Sequence, residues 1–225
     1  MSSPSKPSHQ PAQAPADEII VSGYPERYLR AVRHVLAIEG GWANHKEDRG
    51  GATNYGISLR FLVAEGRMDL DGDGFADFDL DMDGDIDGMD VRQLTTGDAI
   101  FLYHRCFWKP IDADSFPRPL GEALFDQAVN GGLLAARKLL QRAINHCHAR
   151  LGRPPIAVDG AIGAKTRAAY QALIELGGVG MPGLLAAFRK VVEDRYLAII
   201  AADPSQAKFK RGWLRRAREL GRWAE

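Results

Sequence analysis

The stretch Glu39-Gly40-Gly41-Trp42-Ala43-Asn44, followed by Asp48-Arg49-Gly50-Gly51-Ala52-Thr53-Asn54-Tyr55-Gly56-Ile57-Ser58, decides how the chain is read. Just upstream, Tyr28, Ala31, Val32, Val35 and Leu36 recur on one stripe at helical spacing, and Gly40-Gly41 stops that helix at Glu39. Glu39 follows Val35 by four and Val32 by seven, so an ionisable side chain projects from the apolar stripe. Desolvation there disfavours the carboxylate form and suits an acid that donates a proton to a leaving oxygen. A solvated glutamate at a frayed helix end is the alternative. From Trp42 to Ser58 the Gly, Asn and Thr content, with alternation around Tyr55 and Ile57, predicts a loop carrying a small β-ribbon.

Beyond this stretch the pattern is helical. Helices are expected at Thr96–Phe107, Leu120–Val129, along Ala136, Leu139, Leu140, Ala143, Ile144 and Cys147, at Ala164–Leu176, along Leu185, Phe188, Val192, Tyr196 and Ile199, and as a basic terminal helix from Phe209 to Trp223. In that last helix Phe209, Trp213, Leu214, Ala217 and Leu220 are expected to pack inward. The fold class is therefore mostly α with a small β element. At 225 residues and 45% hydrophobic, the chain can bury a full core. Cys106 and Cys147 are too few for a disulfide framework and lack the paired spacing of a zinc site, so two thiols are expected. No run approaches the ~20 apolar residues of a membrane span, which excludes stable membrane insertion by a helix. Net charge is zero, from 29 basic and 29 acidic residues, which argues against a nucleic-acid partner recognised by bulk charge. Ten of the acids, all Asp, lie between Asp69 and Asp90; outside that segment 29 basic residues face 19 acidic ones, a cationic body suited to an anionic polymer.

The two blocks quoted first closely resemble glycoside hydrolase family 108, N-acetylmuramidases with a Glu-Gly-Gly-aromatic motif and a Gly-Gly-x-Thr-x-Tyr-Gly-Ile string. The resemblance continues at Phe125-Asp126-Gln127-Ala128-Val129-Asn130-Gly131-Gly132, at Val158-Asp159-Gly160-Ala161-Ile162-Gly163-Ala164-Lys165-Thr166 and at Gly212-Trp213-Leu214-Arg215-Arg216-Ala217. It implies a lysozyme-like α+β fold, with a helical lobe, a small β-ribbon and a cleft into which the first helix delivers the acid. By resemblance, Glu39 is the general acid and peptidoglycan the substrate, cut at the β-1,4 bond between N-acetylmuramic acid and N-acetylglucosamine.

The order Glu39, Asp48, Thr53 is similar to that of phage-type lysozymes, with the gap from Asp to Thr one residue shorter here. That parallel implies that Asp48 and Thr53 position a water for inversion. Asp48 also fits a turn before Arg49-Gly50-Gly51. Tyr55 is a candidate sugar-stacking residue, whereas Trp42 is expected to pack. Asn130 reads equally as a substrate ligand or a helix C-cap. Asp159-Gly160 resembles part of a peptidoglycan-binding module and is expected to form a tight turn.

The Asp-rich insertion adds a metal signal. Asp79 to Asp90 supply carboxylates at positions 1, 3, 5, 9 and 12 of an EF-hand calcium loop, with Gly84 at position 6. The expected calcium ligands are Asp79, Asp81, Asp83, Asp85 through its carbonyl, and Asp90. A weaker second site, Asp69, Asp71, Asp73 and Asp77, has Leu80 at position 12 and is expected to be incomplete or shared. Calcium is expected to be structural, with no cofactor in catalysis.

The expected division is a disordered tail over 1–22, a muramidase part over 24–117 with the insertion at 69–90, and a helical part over 118–225 packed into the same body. The tail lacks a secretory signal, so synthesis in the cytoplasm and action on the wall, in the periplasm or after signal-independent release, are expected. The protein is expected to be a monomer. A lytic transglycosylase using Glu39 alone, a noncatalytic wall-binding protein and an EF-hand regulator are the rival readings; the last needs paired flanking helices, which the sequence does not supply.

Overall fold

A computed structural model describes residues 23–39, 42, 51–176 and 179–224. The expected tail and the candidate base Asp48 lie outside the described residues, and of Glu39 only the backbone is described. The architecture is mostly helical with one two-stranded antiparallel sheet, as the sequence predicts.

Helix α1 (Glu26–Glu39) buries Tyr28, Ala31, Val32 and Val35, the predicted stripe. Strands β1 (Thr53–Asn54) and β2 (Ile57–Ser58) pair Thr53 with Ser58 and Asn54 with Ile57. Their two-residue turn places both Tyr55 and Gly56 at positive φ, 50° and 77°. That is the sign combination a type I′ hairpin needs, and it is a costly one for tyrosine. The hairpin is tied down by the Tyr103 hydroxyl, which donates to the Tyr55 carbonyl at 3.0 Å. Two short helices not anticipated from pattern follow: α2 (Leu59–Glu65), capped by the Ser58 hydroxyl, and α3 (Gly88–Gln93), opened by an Asp87/Asp90 capping box.

The helix expected at Thr96–Phe107 is α-helical only as α4 (Thr96–Tyr103); His104–Trp108 widens into a π-turn before the short α5 (Lys109–Ile111). An extra residue in the turn shifts the phase of everything after it. Here Trp108 becomes fully buried, its ring 5.2 Å from Tyr28 and 5.3 Å from Phe125. Tyr103 joins the same cluster at 6.5 Å from Phe125.

Phe125 lies on α6 (Leu120–Gly131), the central helix, in which every residue from Leu120 to Ala128 is buried. A helix buried all round must satisfy any polar residue it carries. Gly121 lets α6 sit close to its neighbours: a Cβ there would lie 2.3 Å from the Ala113 carbonyl oxygen and 2.5 Å from Arg27 Nη2. Against α6 packs α7 (Leu133–Arg150), which in turn packs on α9 (Gly180–Ala202); α8 (Ala164–Glu175) and α10 (Lys210–Glu219) lie against α9.

The terminal helix is shorter than the predicted Phe209–Trp223. Residues Pro204–Phe209 are 3-10, and Gly221 at φ 74° follows the end of α10 and turns the chain back. The turn lays Trp223 on His34 of α1, rings 4.4 Å apart and stacked. Two packing expectations fail: Phe209 is 45% exposed and Trp42 is 43% exposed. Phe209 sits in the 3-10 segment, out of phase with the buried face of α10. Both cysteines are free thiols; burial raises the Cys147 thiol, and burial beside Glu65 pushes that of Cys106 up to about 12.

Candidate active site

Helices α1 and α6 run side by side in the same direction, and polar contacts mark the alignment. Arg27, near the start of α1, donates through Nε and Nη2 to both carboxylate oxygens of Glu122 at 2.9 and 2.8 Å, while Arg118 Nε lies 3.0 Å from Glu122 Oε1. Two turns further on, His34 Nε2 lies 4.0 Å from Asp126, which also accepts from Arg216 Nε of α10 at 2.8 Å. One more turn brings Ile38 and Asn130 to the wall of a common cleft. Glu122, Asp126 and Asn130 are four residues apart, so one stripe of α6 carries all three.

The cleft has a volume of about 450 Å³ and is lined by His34, Ile38, Asp126, Asn130, Gly212, Trp213, Arg215, Arg216 and Glu219. That volume is within the usual range of ligand sites. Its floor is rigid. Asp126 is 2% exposed and bound by Arg216, and the Tyr196 hydroxyl donates to Asn130 Oδ1 at 2.5 Å. Trp213 is stacked between Tyr196, at 5.2 Å, and Phe209, at 5.5 Å. Burial pushes the His34 imidazole below its ordinary value and Arg216 adds to this, against the opposing charges of Asp126 and Glu219.

The C-terminal turn of α1 adjoins this cleft: Ile38 lines it, and Glu39 is the next and last residue of the helix. Asn130 is brought here as well, within the last turn of α6 and not at its cap, which is Gly132. Thr53 and Tyr55 are half-buried on the hairpin and are not among the described lining residues of this cleft. Sequence reasoning passed over His34, Asp126, Trp213, Arg216 and Glu219 as site residues. The available signal was that Asp126 and Asn130 share one quoted motif and Trp213 and Arg216 another.

Residues 32–132 match the glycosyl hydrolase 108 family, and residues 135–218 match a predicted peptidoglycan domain. The glycosyl hydrolase 108 likeness is carried by residues 32–132, from α1 to the end of α6. Among solved structures, that of Brucella abortus SagA is similar, with a TM-score of 0.62 and 26% identity over 87% of this chain and 91% of that one. No curated protein matches the sequence. The two family matches make the protein a glycoside hydrolase whose substrate is peptidoglycan. Its cleft draws on both matched segments: α1 and α6 come from the first, and α10 from the second. Asp159-Gly160 is a tight turn, Gly160 at φ 87°, with Asp159 accepting from Gln141 Nε2 and the Ala161 N–H, both at 2.8 Å.

The insertion is built of two similar loops. Carboxylate oxygens of Asp79, Asp81 and Asp83 lie within 4.8 Å of one another, as do those of Asp69, Asp71 and Asp77. In the second loop Asp79 accepts from the Asp83 and Gly84 N–H groups, and buried Asp90 accepts from the Leu80 N–H at 2.6 Å. In the first loop Asp69 accepts from Gly72 and Gly74, and Asp77 accepts from the Leu70 N–H at 3.1 Å. Asp77 thus fills the role that Asp90 fills in the second loop, and Leu80, at the formal twelfth position, is not needed to close the first. The donor set is all oxygen, as a calcium cage requires. Mutual repulsion shows in Asp85, whose carboxyl is raised chiefly by the Asp83 charge.

Proposed function

We propose that the protein is an N-acetylmuramidase that hydrolyses the β-1,4 bond between N-acetylmuramic acid and N-acetylglucosamine, with Glu39 as general acid. The observation that carries this reading is that the last turn of α1 opens onto a cleft shaped by α6 and α10. Glu39 is the last residue of that helix. The second function, a water held on the opposite face so that the anomeric centre inverts, is proposed for Asp48 and for Thr53 of the hairpin, which lies outside the described lining of this cleft.

Borohydride reduction of fragments released from purified peptidoglycan tests the reaction. A muramidase leaves reducible N-acetylmuramic acid ends, and these are the expected product. Non-reducible anhydro ends would assign a transglycosylase, and no fragments a binder.

The insertion is proposed to hold structural calcium, with Asp79, Asp81, Asp83, Asp90 and the Asp85 carbonyl around one ion and Asp69, Asp71, Asp73 and Asp77 around a weaker one. The ion would neutralise the clustered carboxylates and take no part in bond cleavage. Because an ion that binds only the folded state stabilises it, roughly 2.7 kcal/mol is expected at a hundredfold excess over the dissociation constant. Calorimetric titration should show uptake by the wild type, a rise in melting temperature reversed by chelator, and neither in Asp81→Ala/Asp83→Ala. Absence of uptake by the wild type defeats the site.

A further inference from the structure

Helix α10 is the most cationic wall of the cleft: Lys210, Arg211, Arg215, Arg216 and Arg218 face a single acid on the same helix, Glu219. Two of these charges are already matched, Arg216 by Asp126 at 2.8 Å and Arg218 by Glu193 at 2.6 Å. Arg211 and Arg215 are exposed, and among the described residues neither has a carboxylate partner. They are four residues apart, hence neighbours on one face, and Arg215 lines the cleft. Like charges at this spacing weaken a helix, so the pair contributes nothing to the fold that neutral residues would not. Planar guanidinium groups side by side are suited to clasp a carboxylate through paired N–H donors. Glu219 on the same wall repels such a ligand, and with Lys210 counted the unmatched charge of α10 remains positive.

We propose that Arg211 and Arg215 form a carboxylate-binding subsite that holds a stem peptide of the glycan strand lying in the cleft, so that acidic, peptide-bearing strands are preferred over neutral ones. The inference rests on the peptidoglycan hydrolase reading, since the sugars flanking the scissile bond offer no other dense source of carboxylates.

The test compares native peptide-bearing glycan strands with the same strands after their carboxyl groups are converted to neutral amides. The wild type should cleave native strands with a kcat/KM about tenfold higher or more, an advantage that shrinks as salt screens the exposed charges. In Arg211→Gln/Arg215→Gln the ratio should fall to about one, through KM, with an unchanged circular dichroism spectrum, and Arg215→Lys should retain part of it. Equal wild-type rates on both substrates, or a ratio that survives the double substitution, would overturn the subsite. A surviving ratio with lost binding to phosphatidylglycerol vesicles would overturn it in favour of a lipid surface. If the wild type cleaves neither substrate, the hydrolase reading falls first and the subsite with it.

Discussion

Replacing Arg27 by methionine is expected to lower the free energy of unfolding by about 3 kcal/mol. The side chain keeps most of its apolar stem but loses the guanidinium that holds Glu122, which is 1% exposed. Glu122 retains Arg118, a side chain 46% exposed, on one oxygen and loses both bonds from Arg27. A buried carboxylate without its counter-charge costs far more than the intact pair contributes. For a chain of this size the melting temperature should fall by roughly 6–12 °C. The double variant Arg27→Met/Glu122→Met should recover most of the loss, because no charge is then stranded. A single variant as stable as the wild type by thermal and urea denaturation contradicts this view of how α1 is registered on α6.

That register has a functional consequence. Arg27 with Glu122, His34 with Asp126, and Ile38 and Asn130 on the wall of one cleft follow one another in the same order along α1 and α6. The polar stripe of α6 therefore holds α1 so that its last turn, which ends at Glu39, adjoins the cleft.

Much of this was legible from local sequence. The α1 stripe with its Gly-Gly stop, the Tyr55-Gly56 hairpin and the helical lobe are all encoded within a few residues, by period and by turn chemistry. What was not legible depends on residues far apart. Asp126 and Arg216 are 90 positions apart, and no spacing rule joins them. The π-turn at His104–Trp108 leaves an apolar pattern that reads as ordinary helix, since the phase shift is imposed by burial of Trp108 against Tyr28 and Phe125. The same holds for the end of α10, where apolar spacing continues to Trp223 but Gly221, at φ 74°, breaks the helix, and a Cβ there would lie 3.4 Å from Ala123 and 3.5 Å from Leu185. In the insertion, counting positions pointed to Leu80, whereas Asp77 closes the first loop, because backbone N–H groups and not loop numbering choose the carboxylate.

The central claim is that the carboxyl group at the end of α1 supplies the proton for glycosidic cleavage. Its most direct test is the rate at which Glu39→Gln releases reducing ends from purified peptidoglycan, measured beside the wild type with melting temperature and wall binding recorded for both. The amide keeps the shape of the acid but has no proton to transfer near neutral pH, so the rate should fall at least ~100-fold while folding and binding are unchanged. Retention of more than a few per cent of the wild-type rate by a folded Glu39→Gln protein would contradict the account.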